Sequence, residues 1–147
     1  MRRLAVLLVV VAAGAVLGPP PARAAPDSAA FVVIVDPENP SVSLDRTFVA
    51  EAFLKKTTRW PKGNVIKPAD LPPDTQVRER FSHDVLRRSV GAVKSYWNQM
   101  IFSGRDVPPP ELGSEEDIVR YVSSHRGAIG YVSPSAPLGN ARVVTIR

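Results

Sequence analysis

The chain has 147 residues, no cysteine and a formal net charge of +5. Its length fits one small domain, and the lack of cysteine excludes disulfides, thiolate nucleophiles and thiolate metal ligands. Three arginines and no acidic residue lie in the first 24 positions; without them the chain carries only +2, and its dispersed charges do not call for a nucleic-acid partner.

The N-terminal segment has the pattern of a cleavable secretory signal peptide. Residues 1–3 include two arginines, residues 4–17 are small or aliphatic, and residues 22–24 form an A-x-A cleavage pattern. The apolar run is shorter than the roughly 20 residues that usually span a bilayer. We therefore predict cleavage after Ala24, a mature domain of residues 25–147, and a periplasmic or secreted location without a stable membrane anchor. Retention as an uncleaved membrane anchor is the alternative.

The first half of the mature domain contains two predicted strands and one predicted helix. Residues 31–35 are apolar at every position, which is typical of a strand covered on both faces. Asp45 is the predicted N-cap of a helix over residues 46–54, and a short strand is predicted over residues 65–67. The helix assignment depends on the spacing of its apolar residues, Phe48, Val49, Ala52 and Phe53.

Two further helices are predicted in the middle of the chain. Asp74 or Thr75 caps the first, whose buried side is indicated by three apolar residues at i, i+4 and i+8, Val77, Phe81 and Val85. Ser89 caps the second helix, and Gly104 ends it. The predicted core stripe of this second helix contains Val93, Trp97, Met100 and Ile101.

The C-terminal part predicts one more helix and two strands. Residues 114–117 form a capping-box pattern that begins a helix ending near Gly127. Residues 128–132 and 141–146 are predicted strands. Strands that alternate with helices predict a single α/β domain in which helices flank a small sheet.

Residues suited to catalysis or metal binding are sparse in this sequence. The only two histidines, His83 and His125, fall in separate predicted helices and have no third ligand at a metal-binding spacing. The sequence contains no nucleophile elbow, no zinc-protease helix motif and no phosphate-binding P-loop. We therefore predict that the protein is not an enzyme and uses no cofactor or metal.

One loop has the features of an anion-binding site. Residues 67–74 run from a predicted strand into the start of a helix, where backbone N–H groups near Thr75 and Gln76 have no partner within the helix. Such turns bind anions, and the side chains of Lys67 and Arg78 would add donors. We predict Thr75, Gln76, Arg78 and Lys67 as the ligand-binding residues.

The alternative for this loop is that Asp74 or Thr75 merely caps its own helix. If Asp74 is the cap, its carboxylate already occupies the anion-binding position at the start of the helix and repels an incoming oxyanion. The sequence leaves both interpretations open.

Five segments of the mature chain together resemble a known family. They are residues 33–37 (VIVDP), 53–55 (FLK), 59–63 (RWPKG), 65–66 (VI) and 127–132 (GAIGYV). In this order they resemble the second lobe of phosphate-binding proteins, the extracytoplasmic receptors of phosphate ABC transporters. The resemblance implies one lobe of the type-2 periplasmic-binding-protein fold, with a small mixed sheet flanked by helices. It also implies phosphate or another oxyanion as a ligand and an ABC transporter permease as a partner.

The loop after residue 67 departs from the pattern of the resembled family. Where the family's second lobe offers an arginine this chain has Pro68, Asp70 matches the family's aspartate, and only Thr75 survives from a Ser-Gly-Thr turn. We expect no counterpart of the first lobe, which supplies the family's other ligand contacts. We therefore predict an exported solute-binding-protein-like domain that binds phosphate or another oxyanion weakly. The alternative is a cell-envelope interaction module that reuses the lobe without a small ligand.

The signal-peptide pattern gives a direct test of export. The exported protein should begin at Ala25, because the Ala-Arg-Ala tripeptide of residues 22–24 is a cleavage pattern directly after the apolar run. Mass spectrometry of the exported protein measures this N-terminus. A membrane-bound product that retains residues 1–17 would contradict the prediction.

Overall fold

The structure, a computed structural model, describes residues 30–147, so the predicted signal peptide lies outside the described residues. Five strands form one mixed sheet in the order β2-β5-β1-β4-β3. Strand β1 runs antiparallel to β4 and β5, whereas β2 is parallel to β5 and β3 is parallel to β4. The strand bounds are β1 Val32–Val35, β2 Ser43–Leu44, β3 Lys67–Pro68, β4 Ala128–Val132 and β5 Arg142–Ile146.

Four α-helices and one π-helical turn connect and cover the strands. The helices are α1 Arg46–Phe53, α2 Gln76–Phe81, α3 Val90–Phe102 and α4 Glu115–Ser124, and the π-helical turn Ser82–Leu86 follows α2 directly. The helix starts predicted at Thr75, Ser89 and Ser114 are confirmed, since each side chain accepts a hydrogen bond from a backbone N–H three residues ahead. No helix within residues 30–147 is long and apolar enough to cross a membrane.

The helices lie on both faces of the sheet, and two adjacent residues of β4 show how. A side chain at Gly130 would come within 2.7 Å of the methyl group of Ile118, so glycine lets α4 approach this face closely. The ring of Tyr131 faces the other side, where its centroid lies 5.7 Å from that of Phe53 in α1. Consecutive residues of a strand point to opposite faces, so the predicted α/β architecture is confirmed as three layers.

Stacked aromatic rings form the centre of the core on the α1 side of the sheet. The rings of Phe81 and Tyr131 are parallel, with an interplanar angle of 4° and centroids 3.8 Å apart. Phe53 lies 4.7 Å from Phe81, and Phe31 contacts Phe81 edge to face at 5.4 Å. All but Phe31 are at most 2% exposed, so this cluster joins β4, α1 and α2 by apolar burial and ring packing.

Several predicted details of the local structure were wrong. The short strand predicted over residues 65–67 begins instead at Lys67, and Val65 is 47% exposed and makes only an isolated bridge to Arg59. Asp45 occupies the N-cap of α1 but makes no side-chain capping hydrogen bond. Ile101 is 48% exposed, because α3 buries only the narrow side that carries Val93 and Trp97. The two-residue strand β2 was not predicted, since so short a segment has no measurable periodicity.

The core assignment generates a stability prediction with an internal control. Phe81 is fully buried and Trp97 is 5% exposed, so Phe81→Ala and Trp97→Ala should each lower the free energy of unfolding by about 3–5 kcal/mol. Phe102→Ala in the same helix as Trp97 should change it by less than about 0.5 kcal/mol, because Phe102 is 91% exposed. Urea denaturation of the three variants measures this difference. Equal effects in Trp97→Ala and Phe102→Ala would contradict the assigned burial of α3.

Candidate functional site

The predicted anion-binding loop contains a buried ion pair. The Arg78 guanidinium contacts the Asp70 carboxylate, and both side chains are almost completely buried. The hydroxyl of Tyr131 also donates a hydrogen bond to this carboxylate, as does the backbone N–H of Leu71 at 3.1 Å. Arg78 Nη1 further donates to the carbonyl oxygen of Leu71 at 3.1 Å. The strongest donor in the loop is therefore bound to groups of the protein itself.

Two further contacts fix the conformation of this loop. Thr75 Oγ1 donates to the Pro72 carbonyl oxygen at 3.0 Å and accepts from the Arg78 backbone N–H at 3.3 Å. The backbone N–H of Asp70 donates to the Pro110 carbonyl oxygen at 2.9 Å, and the Asp70 carbonyl oxygen accepts from the Leu112 N–H at 2.8 Å. Thr75 is therefore the N-cap of α2, one of the two caps that the sequence predicted. Hydrogen bonds fix the loop both at Asp70 and at Thr75.

Burial shifts the proton affinities of this cluster. Burial raises the pKa of the Asp70 carboxyl above its ordinary value, against the opposing attraction of Arg78 and the hydrogen bonds from Tyr131 and Leu71. Burial, with the Asp70 charge adding to it, raises the pKa of the Tyr131 phenol far above its usual range. The phenol therefore stays protonated and serves as a permanent donor to Asp70.

The structure brings together three of the four predicted ligand-binding residues. Thr75, Gln76 and Arg78 share the first turn of α2, but the Arg78 guanidinium lies inside the protein. Lys67 is exposed in β3, at the edge of the sheet, and does not line the pocket at the start of α2. Binding of an anion by these four residues stays a prediction.

The surface at the start of α2 is acidic. A pocket of about 320 Å³ opens there, and its charged or titratable lining residues are Asp74, Glu79 and His83. The side chains of Asp74 and Glu79 are exposed, and no lysine or arginine lines this pocket. The two carboxylates of this pocket repel an approaching oxyanion.

The two histidines have ordinary surface surroundings. His83 Nδ1 lies 2.9 Å from the carboxylate of its neighbour Asp84, and its side chain is 79% exposed. His125 Nδ1 lies 2.9 Å from the Tyr121 carbonyl oxygen, and its ring stacks on the Tyr121 ring. In the part of the chain that the structure describes, no three His, Cys, Asp or Glu side chains come together as a metal site would require.

Three of the five segments that carry the family resemblance meet at one buried position. The backbone N–H of Gly127 donates to Asp36 Oδ2 at 3.0 Å, and its carbonyl oxygen accepts from Trp60 Nε1 at 3.0 Å. Gly127 has φ of +83°, which glycine adopts without strain. Asp36, Trp60 and Gly127 therefore hold these three segments together inside the fold.

Sequence reasoning missed the pairing of Asp70 with Arg78. Asp70 lies between the apolar residues Ala69 and Leu71, which indicates a charged residue whose backbone is placed in the core and which requires a partner there. Arg78 lies in the mostly polar stretch of residues 76–80, so its own neighbours in sequence do not indicate burial. The roles of Asp36 and Trp60 were likewise missed.

Comparison with solved structures identifies the fold. The chain matches an ABC-type phosphate transport receptor from Vibrio cholerae with a TM-score of 0.62 and 13% identity. It matches a structure from Clostridium perfringens, named as a phosphate ABC transporter substrate-binding protein with bound phosphate, with a TM-score of 0.62 and 19% identity. The PstS protein from Borrelia burgdorferi matches with a TM-score of 0.61 and 9% identity. The predicted lobe of a phosphate-receptor fold is confirmed at the level of the fold.

The match covers most of this chain but only part of each receptor. It includes 79–80% of this chain and 44–47% of the three solved chains. The chain therefore spans less than half the length of the structures it matches, as one lobe would. No protein-family model matches the sequence, and a search of curated proteins finds no match.

The buried ion pair generates a prediction on stability. Asp70→Asn leaves the Arg78 charge buried without a counter-charge and should lower the free energy of unfolding by about 3–5 kcal/mol. The double variant Asp70→Asn/Arg78→Met should be more stable than the single variant, because no unpaired charge remains in the core. Urea denaturation measures both.

The exposed pair between Glu38 and Arg126 provides the matched control for that prediction. The two side chains are 69% and 70% exposed and 3.4 Å apart, so Glu38→Gln should cost less than about 1 kcal/mol. If Asp70→Asn cost no more than Glu38→Gln, the Asp70–Arg78 pair would not be the buried constraint described above.

Proposed function

We propose that the protein is an exported, non-enzymatic binding module with the fold of one phosphate-receptor lobe. We propose further that it acts by contacting another protein of the cell envelope and not by enclosing an oxyanion. The buried contact between Arg78 and Asp70 carries this proposal. Arg78 is the only basic residue between positions 68 and 79, and its charge is already neutralised inside the domain.

The charges around the start of α2 also disfavour an oxyanion as the ligand of this pocket. A buried dianion needs several converging donors to replace its hydration. The pocket at this position is lined by Asp74 and Glu79 and lacks a basic residue. A single open lobe also leaves a bound anion exposed to water and to screening by salt.

A second candidate function is weak binding of phosphate or another oxyanion. It is favoured by the fold match to a structure named as containing bound phosphate, and by the general affinity of helix starts for anions. Its residues are Thr75 and Gln76 at the helix start, with Lys67 and Arg78 as the sequence predicted. For either function, the names of the matched structures suggest an ABC transporter permease as one envelope partner.

The proposal that the protein is not an enzyme has similar support. The matched structures are named as transport receptors or substrate-binding proteins. Both histidines contact their own helices or neighbouring residues at the surface. The buried Asp70 carboxylate accepts a hydrogen bond from the Tyr131 phenol and forms an ion pair with Arg78. Neither the carboxylate nor the phenol therefore faces a substrate.

A phosphate titration separates the two candidate functions. Amide chemical shifts of the purified protein are followed as sodium phosphate is added at constant ionic strength. We expect no saturable shift at residues 74–78 up to tens of millimolar phosphate, because the donor side chain is internally bound and two carboxylates flank the turn. Sodium sulfate serves as the second oxyanion.

The double variant Asp74→Asn/Glu79→Gln is the control for the electrostatic part of this argument. Removal of the two carboxylates should increase any phosphate response at the start of α2. Saturable shifts at residues 74–78 of the unmodified protein would contradict the proposal and establish the second candidate. The dissociation constant would then be near a millimolar, which corresponds to a binding free energy of about −4 kcal/mol.

A further inference from the structure

A second concave surface, away from the anion-binding loop, carries a concentration of positive charge. It is a groove of about 430 Å³ between α1 and the turn that follows the π-helical segment. Four basic residues line it, two from the α1 side and two from the turn, and we call it the basic groove: Arg46, Lys56, Arg87 and Arg88. Its apolar lining includes the buried side chains of Leu54, Val85 and Leu86.

The four basic side chains of the basic groove outnumber the single acidic residue that lines it. None of its four basic side chains forms an ion pair with a carboxylate of residues 30–147. Arg46 donates to the carbonyl oxygen of Asp84 at 2.7 Å, and Arg88 lies 5.5 Å above the ring of Tyr96. The one acidic residue that lines the groove, Glu51, accepts a hydrogen bond from Thr57 Oγ1 at 2.8 Å.

Local backbone structure places two arginines side by side at the rim of the groove. The π-helical turn ends at Arg87, which has φ of +54° and ψ of 35°. The backbone N–H of Arg88 then donates to the carbonyl oxygen of Ser82 at 3.2 Å and closes the turn. This left-handed conformation is one that glycine adopts more readily than arginine, so the charge at position 87 is not required by the turn.

We propose that the basic groove binds an acidic segment of a partner protein. This inference rests on the proposed function, since it names the surface and the chemistry of the protein contact. Carboxylates of the partner would lie against the four basic side chains, which gives specificity and fast association.

The exposure of the basic side chains favours a peptide over an anionic membrane. Basic side chains that bind lipid headgroups need a surface that a flat bilayer can reach, whereas Arg46 and Arg88 are only partly exposed and lie against the Asp84 carbonyl oxygen and the Tyr96 ring. The volume of the basic groove, about 430 Å³, lies in the range of ligand-sized sites, roughly 300–1,000 Å³. That range accommodates a few side chains of an extended or helical segment.

Fluorescence polarisation with a labelled peptide tests this proposal. The probe is a fluorescein-labelled peptide of alternating glutamate and serine, and the comparison peptide has glutamine in place of glutamate. The purified protein should bind the acidic probe saturably and more weakly as salt is added. The variant Arg87→Gly/Lys56→Gln removes two groove charges, and glycine suits the conformation at position 87, so the fold should be retained. Its affinity should fall by about tenfold.

The matched control removes the same charge elsewhere. Lys62→Gln/Lys94→Gln alters two exposed lysines that do not line the basic groove, and it should bind the acidic probe as the unmodified protein does. The proposal is overturned by no saturable binding, by equal binding of the glutamine peptide, or by equal loss in the control variant. Binding to vesicles that contain phosphatidylserine without binding to the peptide would also overturn it and assign the groove to membranes.

The outcomes separate this inference from the proposed function. If the peptide does not bind and phosphate also gives no saturable shift, the basic groove is excluded while a protein-binding module remains the proposal. If phosphate gives saturable shifts at residues 74–78, the proposed function fails whatever the groove binds.

Discussion

The buried ion pair between Asp70 and Arg78 is the constraint around which this domain is organised. It joins the loop after β3 to α2, and through the Tyr131 hydroxyl it joins both to β4. Tyr131 in turn stacks on Phe81, so the polar cluster and the aromatic core share a side chain. A charged pair costs desolvation wherever it is buried, and removal of either partner leaves the other charge buried without compensation. The helix, the loop and the sheet are therefore held in one arrangement.

This arrangement determines what the loop at the start of α2 offers to a ligand. The loop contains an arginine, a threonine and a helix start, which are the groups that bind an oxyanion elsewhere. Here Arg78 and Thr75 stabilise the loop itself, and the surface they leave is acidic. A second surface, lined by four basic residues, lies between α1 and the turn at Arg87. This is the surface that we propose binds an acidic segment of a partner.

The sequence predicted most of the fold because its signals were local. The caps at Thr75, Ser89 and Ser114 are confirmed, since each depends only on a side chain and a backbone N–H three residues away. The burial of Ile101 was predicted wrongly. Helical spacing shows which residues lie on the same face of a helix, but it does not show how much of that face the rest of the protein covers. The inward position of Arg78 depends on Asp70 and Tyr131, which are 8 and 53 residues away in sequence. No periodic pattern reports a contact of that kind.

The state of the Arg78 guanidinium tests this account most directly. Nitrogen-detected NMR of the arginine side chains resolves the Nη groups when rotation of the guanidinium is restricted. We predict separate Arg78 Nη signals with slow hydrogen exchange, and no movement of these signals when phosphate is added, because Asp70 and the Leu71 carbonyl oxygen hold the group. Averaged, rapidly exchanging Arg78 signals that shift saturably with phosphate would contradict the account.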